Sequence, residues 1–303
     1  SLRMGNRAGL HEGGRMTYKE LLETSAKQVG NVVCMGLDVK PEILPYGEKG
    51  VRHQLNTYFQ QLFRRMNLSG LLPAAFKPNI GYYAVLDNPR EEEFSGSLAL
   101  ADLFDLLENF FPNTPIILDS KRGDIATSSR NYADEAFKRW GANAATVAPY
   151  MGSDSVGPFI QDSKVGTYVL NRTSNPGGKD LQNLMLRTGV PLYEAVADQI
   201  IAYNARRGHV GAVVGATNLD ELKAIAQRYA DQSVPLLIPG VGSQGGSATE
   251  VMTILREVDY PLPLVRINSS SSLTHPWKKD PAPDDWLDRC EGSLRALIEE
   301  CSL

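Results

Sequence analysis

Cysteine is scarce. The chain has three, Cys34, Cys290 and Cys301, too few and too scattered for a disulfide framework or a zinc site. Histidine is nearly as rare, and the four present lack metal-ligand spacing, which weakens a metalloenzyme reading. No apolar run is long enough to cross a bilayer. The first fifteen residues, SLRMGNRAGLHEGGR, lack the apolar core of a signal peptide. They read as an unstructured leader or a vector-derived remnant, with structure beginning near Met16 and the cytoplasm as the expected compartment. Surplus positive charge is also missing. Lys plus Arg number 31 against 35 Asp plus Glu, a net charge of −4, so no basic field is available for gripping nucleic acid. What remains is a globular composition: 42% hydrophobic and 22% charged residues exclude a disordered chain, and 303 residues can bury a substantial core.

No linker, low-complexity tract or abrupt shift of charge divides the chain. What recurs is a short apolar run, a polar turn and a longer stretch of helical periodicity. The short runs are Val32–Leu37, Ala74–Lys77, Ile116–Asp119, Ala144–Val147, Thr167–Leu170, Gly211–Val214, Leu236–Pro239 and Leu264–Asn268. Most are rich in Val, Ile and Leu without alternation, as parallel strands covered on both faces are. Amphipathic helices are expected over Val51–Leu68, Ser97–Phe110, Ser128–Trp140, Leu192–Arg206, Leu219–Arg228, Ala248–Val258 and Asp284–Glu300. Such alternation means a parallel sheet with helical crossovers. Eight strands match a single-domain (β/α)₈ TIM barrel over residues 16–303, with a doubly wound open sheet as the alternative. A barrel demands that its chemistry sit where strands end, on the C-terminal face.

Polar residues cluster there. The first strand ends in GLD with Asp38, the second in FKPN with Lys77 and Asn79, and the third in LDSKRGD with Asp119, Lys121 and Asp124. Charges at such positions are costly unless paired, so they point to function. Residues two apart on a strand share a face, which aims Asp119 and Lys121 into the barrel mouth. Asp124 and Ser128, four apart, share a face at the start of the next helix. The competing explanation is a structural Asp119–Lys121 ion pair with Asp124 as a helix cap; Lys77 and Asp38 on neighbouring strands weigh against it. Lysines among carboxylates stay protonated, which disfavours a Schiff-base role and suits a proton donor. After the seventh strand, PGVGSQGG places glycines, Gly242 among them, around Gln244, where backbone N–H groups can approach a phosphate. Asn171, Thr173 and Asn175 after the fifth strand suit a heterocycle edge or a sugar, or form an ordinary surface turn.

Taken in order, GLD, FKPN, LDSKRGDIATS, VAPYMG, VLNRTSNP, GAVVGATN and PGVGSQGG resemble the orotidine 5′-monophosphate decarboxylase family from about Val33 to Thr274, in its longer, type 2 branch. The resemblance implies a TIM-barrel homodimer that converts orotidine 5′-monophosphate to UMP in pyrimidine synthesis without metal or organic cofactor. It places Lys77, Asp119 and Lys121 in a charged catalytic network, which Asp124 completes in the partner subunit's site, where Ser128 reaches the ribose. It further implies that Asp38 bonds the ribose, that Asn79 supports ribose or network, that Thr173 reads the pyrimidine edge, and that Gln244 and its glycine loop hold the phosphate. Loss of CO₂ from C6 leaves an in-plane anion that the ring cannot delocalise, so a preorganised field with Lys121 as proton donor is the chemistry wanted.

One position departs from the family pattern. Where an arginine is expected after the eighth strand, the segment reads RINSSSSLTHPWKK and Ser271 stands in its place. Serine lacks the charged, planar fork of arginine, and Arg266, Lys278 and Lys279 are the nearby candidates to replace it. Two alternatives stand beside this resemblance. One is a related magnesium-dependent sugar-phosphate decarboxylase, and the other is a catalytically impaired nucleotide-binding barrel.

Overall fold

A computed structural model describes residues 16–303; the expected leader, residues 1–15, lies outside the described residues. Eight strands run β1 (Val33–Gly36), β2 (Ala75–Lys77), β3 (Ile117–Arg122), β4 (Ala144–Val147), β5 (Gly166–Arg172), β6 (Val210–Val214), β7 (Leu236–Ile238) and β8 (Val265–Ser269). The helices are α1 (Tyr18–Val29), α2 (Val51–Ser69), α3 (Ile80–Ala84), α4 (Ser95–Phe110), α5 (Ala126–Asp134), α6 (Ser153–Val156), α7 (Lys179–Gln182), α8 (Leu192–Arg207), α9 (Leu219–Ala230), α10 (Ala248–Glu257), α11 (Ser271–Thr274) and α12 (Trp286–Glu300). All strand pairings in the sheet are parallel, in the order β2-β1-β8-β7-β6-β5-β4-β3. The ends meet through parallel bridges Phe76–Ile116 and Asn79–Asp119, with Asp119 N donating to Pro78 O at 2.9 Å. The sheet is therefore a closed barrel, and the open-sheet alternative falls.

Strand alternation sorts side chains between two cores. Outward residues such as Val33, Met35, Phe76, Leu118, Ala145, Val169 and Ile267 pack against the helices. Inward residues Cys34, Ala75, Ile117, Ala144, Tyr168, Val213 and Leu237 fill the interior with Tyr18 and Leu22 of α1. The inward parity carries Cys34 to Gly36 and Asp38, Ala75 to Lys77, Ile117 to Asp119, and Ala144 to Thr146. Each polar residue of the mouth thus stands one layer above an apolar one.

The barrel floor is closed by α1, which opens on a reciprocal capping box: Thr17 Oγ1 accepts from Glu20 N, and Glu20 Oε2 accepts from Thr17 N. Arg266, 0% exposed, pins this helix down. Its guanidinium donates to the carbonyls of Ala74, Pro263, Val265 and Leu22 and to Ser25 Oγ, so all of its nitrogens are engaged. That placement removes Arg266 from the candidates for a ligand at the opposite end.

β3 departs from a plain strand. Leu118 pairs with Ala145 but Arg122 pairs with Val147, so four residue steps on β3 span two on β4. The resulting bulge extends the strand past the expected Asp119 and holds Lys121 at φ 46°, a left-handed conformation rare outside glycine and concentrated at functional sites. No described helix is long and apolar enough to cross a membrane.

Candidate active site

A cavity of about 630 Å³ opens at the C-terminal ends of the strands, within the size range of small-molecule sites. Eight of the expected site residues line it: Asp38, Lys77, Asn79, Asp119, Lys121, Thr173, Gln244 and Ser271. Gly242, Asp124 and Ser128 are outside the lining.

At its centre Asp119 receives both lysines. Lys77 Nζ donates to Oδ2 at 2.9 Å, and Lys121 Nζ donates to Oδ1 and Oδ2 at 2.7 and 2.8 Å. The side chains of Lys77 and Asp119 are buried, whereas that of Lys121 is 47% exposed. Burial disfavours the charge on Asp119, yet the two ammonium groups outweigh it and hold the carboxyl well below the usual carboxylate range. Burial likewise opposes the charge on Lys77, but Asp119 and Asp38 prevail and raise its pKa above the ordinary lysine value. Both groups stay charged at neutral pH. The array offers a fixed anion between two cations, one of which faces the open cavity.

Thr146, absent from the sequence-based candidates, locks this array. Its hydroxyl, 1% exposed as a residue, accepts from Ser120 N at 3.1 Å and Lys121 N at 2.9 Å and donates to Asp119 Oδ1 at 2.8 Å. One hydroxyl therefore shapes the β3 bulge and orients the central carboxylate. Its only signal in the sequence was the inward position at the end of the fourth apolar run.

Asp38 is fixed from two sides, accepting from Asn79 N at 3.0 Å and from Ser270 Oγ at 3.2 Å. Asn79 caps α3 by accepting from Gly81 N at 2.9 Å. Gly36 is required beneath them, since a Cβ there would collide with Ser270 Oγ. Across the mouth, Thr173 is tied into its own loop through Asn175 and Gln182. Its neighbour Ser174, also missed in the sequence, lines the cavity and donates to Gln244 Oε1 at 2.5 Å, joining the β5 and β7 loops. Asn171 is also not at the mouth: buried, it donates to Tyr193 O and accepts from Tyr229 Oη. Gly240, Gly242 and Gly245 hold φ of 94°, 85° and 93°, giving the β7 loop a backbone that other residues resist. Ser269 and Ser272, hydrogen-bonded at 2.5 Å, face Gly242.

Asp124 accepts from Ile125 N at 2.7 Å and does not cap α5, whose N-cap residue, Ile125, makes no side-chain cap bond. Lys278 and Lys279 do not line the cavity. Among the described residues no group of three or more His, Cys, Asp or Glu is placed to hold a metal ion.

The model of the orotidine 5′-phosphate decarboxylase / HUMPS family matches residues 31–258, three quarters of the chain and all eight strand positions but the last. The chain belongs to this family. It is 37% identical to the orotidine 5′-phosphate decarboxylase of Bordetella petrii over 282 residues, 93% of this chain and 97% of that one. Among solved structures, the OMP decarboxylase of Leishmania donovani superposes with a TM-score of 0.72 at 28% identity, covering 94% of this chain and 99% of that one. The UMP synthase of the same organism gives 0.72 at 31% identity; 93% of this chain is covered, and it spans 57% of that longer chain.

Proposed function

We propose that this protein decarboxylates orotidine 5′-monophosphate to UMP in pyrimidine biosynthesis, acting as a carboxy-lyase. Family membership with relatives of that name supports the reaction, and the Lys77–Asp119–Lys121 array at the cavity floor carries the reading of its chemistry. Breaking the C6–carboxylate bond releases CO₂ and leaves the electron pair on C6. Lys121 Nζ stabilises that pair and donates a proton to it, giving UMP; the exposed ammonium is recharged from water between turnovers. Asp119, ionised by its two lysines, lies beside the leaving carboxylate, and their repulsion ends as neutral CO₂ forms. Lys77 keeps Asp119 in place and charged. Asp38 and Asn79 bind the ribose, Ser174 and Thr173 bound the pyrimidine, and Gln244 with Gly240 of the glycine loop faces the phosphate beside Ser271, while Gly242 shapes that loop from behind the lining.

The active form in this reading is a cytoplasmic homodimer with composite sites. Asp124 and Ser128 lie outside their own cavity, and Ile125, Tyr150 and Met151 expose apolar surface on the adjoining β3 and β4 loops, Tyr150 to 86%. Pairing through this face covers that surface and delivers Asp124 and Ser128 to the partner.

Loss of the orotate absorbance on incubation with orotidine 5′-monophosphate is the direct assay. Lys121→Ala should abolish it while leaving the protein folded, and a chelator should leave the wild-type rate unchanged. Turnover that survives Lys121→Ala removes the proposed proton donor; turnover lost to the chelator favours the magnesium-dependent alternative.

A further inference from the structure

The proposed substrate carries a phosphate dianion, and the wall facing it is built of serines and glycines. Among the described residues no arginine lines the cavity. Three lysines do, and two of them, Lys77 and Lys121, are consumed by Asp119. The third is Lys40, two residues past Asp38 on the loop after β1, exposed and without an ion pair among the described residues. β1 pairs with β8, and Ser270 bonds Asp38 across that seam, so the loop carrying Lys40 adjoins the turn carrying Ser271. His275 lies within reach of the Lys40 charge: burial and then that charge hold the imidazole below its ordinary pKa, with Glu42 opposing them. A cation is thus present at the serine wall, supplied from a different strand.

We propose that Lys40 is the phosphate-binding cation of this site, pairing with the nucleotide 5′-phosphate while the hydroxyls and backbone of the Ser269–Ser272 turn donate neutral hydrogen bonds. The inference rests on the nucleotide reading given above. A lysine is a point charge without the bidentate fork of arginine, so the grip is electrostatic and adaptable in direction. It also explains how a serine can stand at position 271: the charge has moved across the seam to the neighbouring strand's loop.

The test compares UMP with uridine, which differ only in the phosphate, by calorimetric titration. Lys40→Met should weaken UMP binding about 10- to 100-fold and change uridine binding less than about two-fold. Lys40→Arg should retain the preference for UMP, and Ser271→Arg placed on Lys40→Met should restore it. Equal losses for both ligands, or no loss for UMP, would overturn the assignment, as would a wild-type protein that binds the two alike. Turnover of orotidine 5′-monophosphate is measured in parallel. A protein that prefers UMP through Lys40 yet releases no CO₂ would refute the decarboxylase reading and uphold the phosphate site.

Discussion

Replacing Thr146 with valine is the sharpest perturbation of the proposed catalytic array, because the side chain keeps its shape and loses only the hydroxyl. That hydroxyl makes three hydrogen bonds: two accepted from the β3 backbone and one donated to an ionised carboxylate. The bond to a charged acceptor is worth about 1.5–3 kcal/mol, and each part-buried donor left without an acceptor costs at most about 1–3 kcal/mol. Water entry and relaxation of the bulge offset part of this, so Thr146→Val should lower unfolding free energy by about 2–4 kcal/mol. The kinetic effect follows from geometry. Freed of its acceptor, the Lys121 backbone relaxes from φ 46° and carries Nζ away from the reacting carbon. A displacement of about 1 Å costs on the order of 10²-fold in rate. Urea unfolding gives the first quantity and the orotate absorbance assay gives kcat and KM. The loss should fall in kcat with UMP affinity preserved, and Thr146→Ser should recover most of it. A valine variant with kcat within about threefold of wild type and an unshifted urea midpoint would refute the locking role.

In the proposed homodimer, mixing Lys121→Ala with Asp124→Asn subunits, each inactive alone, should restore about a quarter of wild-type activity, because half the dimers would be mixed and each would have one intact site; no recovery after subunit exchange would sink the composite site. Asp119→Asn should be destabilised at neutral pH, by about 3–5 kcal/mol for a broken buried pair. The depressed carboxyl pKa means this stabilisation is present above the unfolded value near pH 4 and lost as pH falls further, so urea midpoints of variant and wild type should converge in acid. Divergence there would contradict the linkage. The thiols of Cys34, Cys290 and Cys301 are buried and pushed up to about 12, so a thiol reagent at pH 8 should label only unfolded protein; rapid native labelling would contradict their burial.

Much of the framework was legible because a parallel barrel writes itself as continuous apolar runs. All eight runs correspond to strands, and the seven expected helices recur with shifts of a few residues, the one expected over Ser128–Trp140 as α5 continued by a π-helical stretch, Glu135–Arg139. Asp119 follows from period-two parity; Lys121 reaches the same cavity, but through the bulge and its left-handed backbone, not through strand alternation. What escaped was set by contacts between distant segments. α1 was overlooked although Thr17 and Glu20 have capping-box spacing, because its buried face answers the barrel floor and not a neighbouring helix. The β3 bulge depends on a threonine on the next strand, which no local pattern reports. Thr173 and Ser174 are equivalent hydroxyls in sequence; Gln182 claims the first and Gln244 the second. Arg266 counted as a candidate only because it is the cation nearest in sequence to Ser271; on β8 it stands in the lowest layer, where five acceptors surround it.

That floor has a bearing on traffic. Among the described residues, α1, Tyr18 and the Arg266 guanidinium close one end of the barrel, and the cavity opens at the other. In the proposed reaction CO₂ and UMP share that rim, so the loops lining it bear on both departures. Substitutions at the closed end are expected to change how long the fold lasts and to leave turnover to the other end.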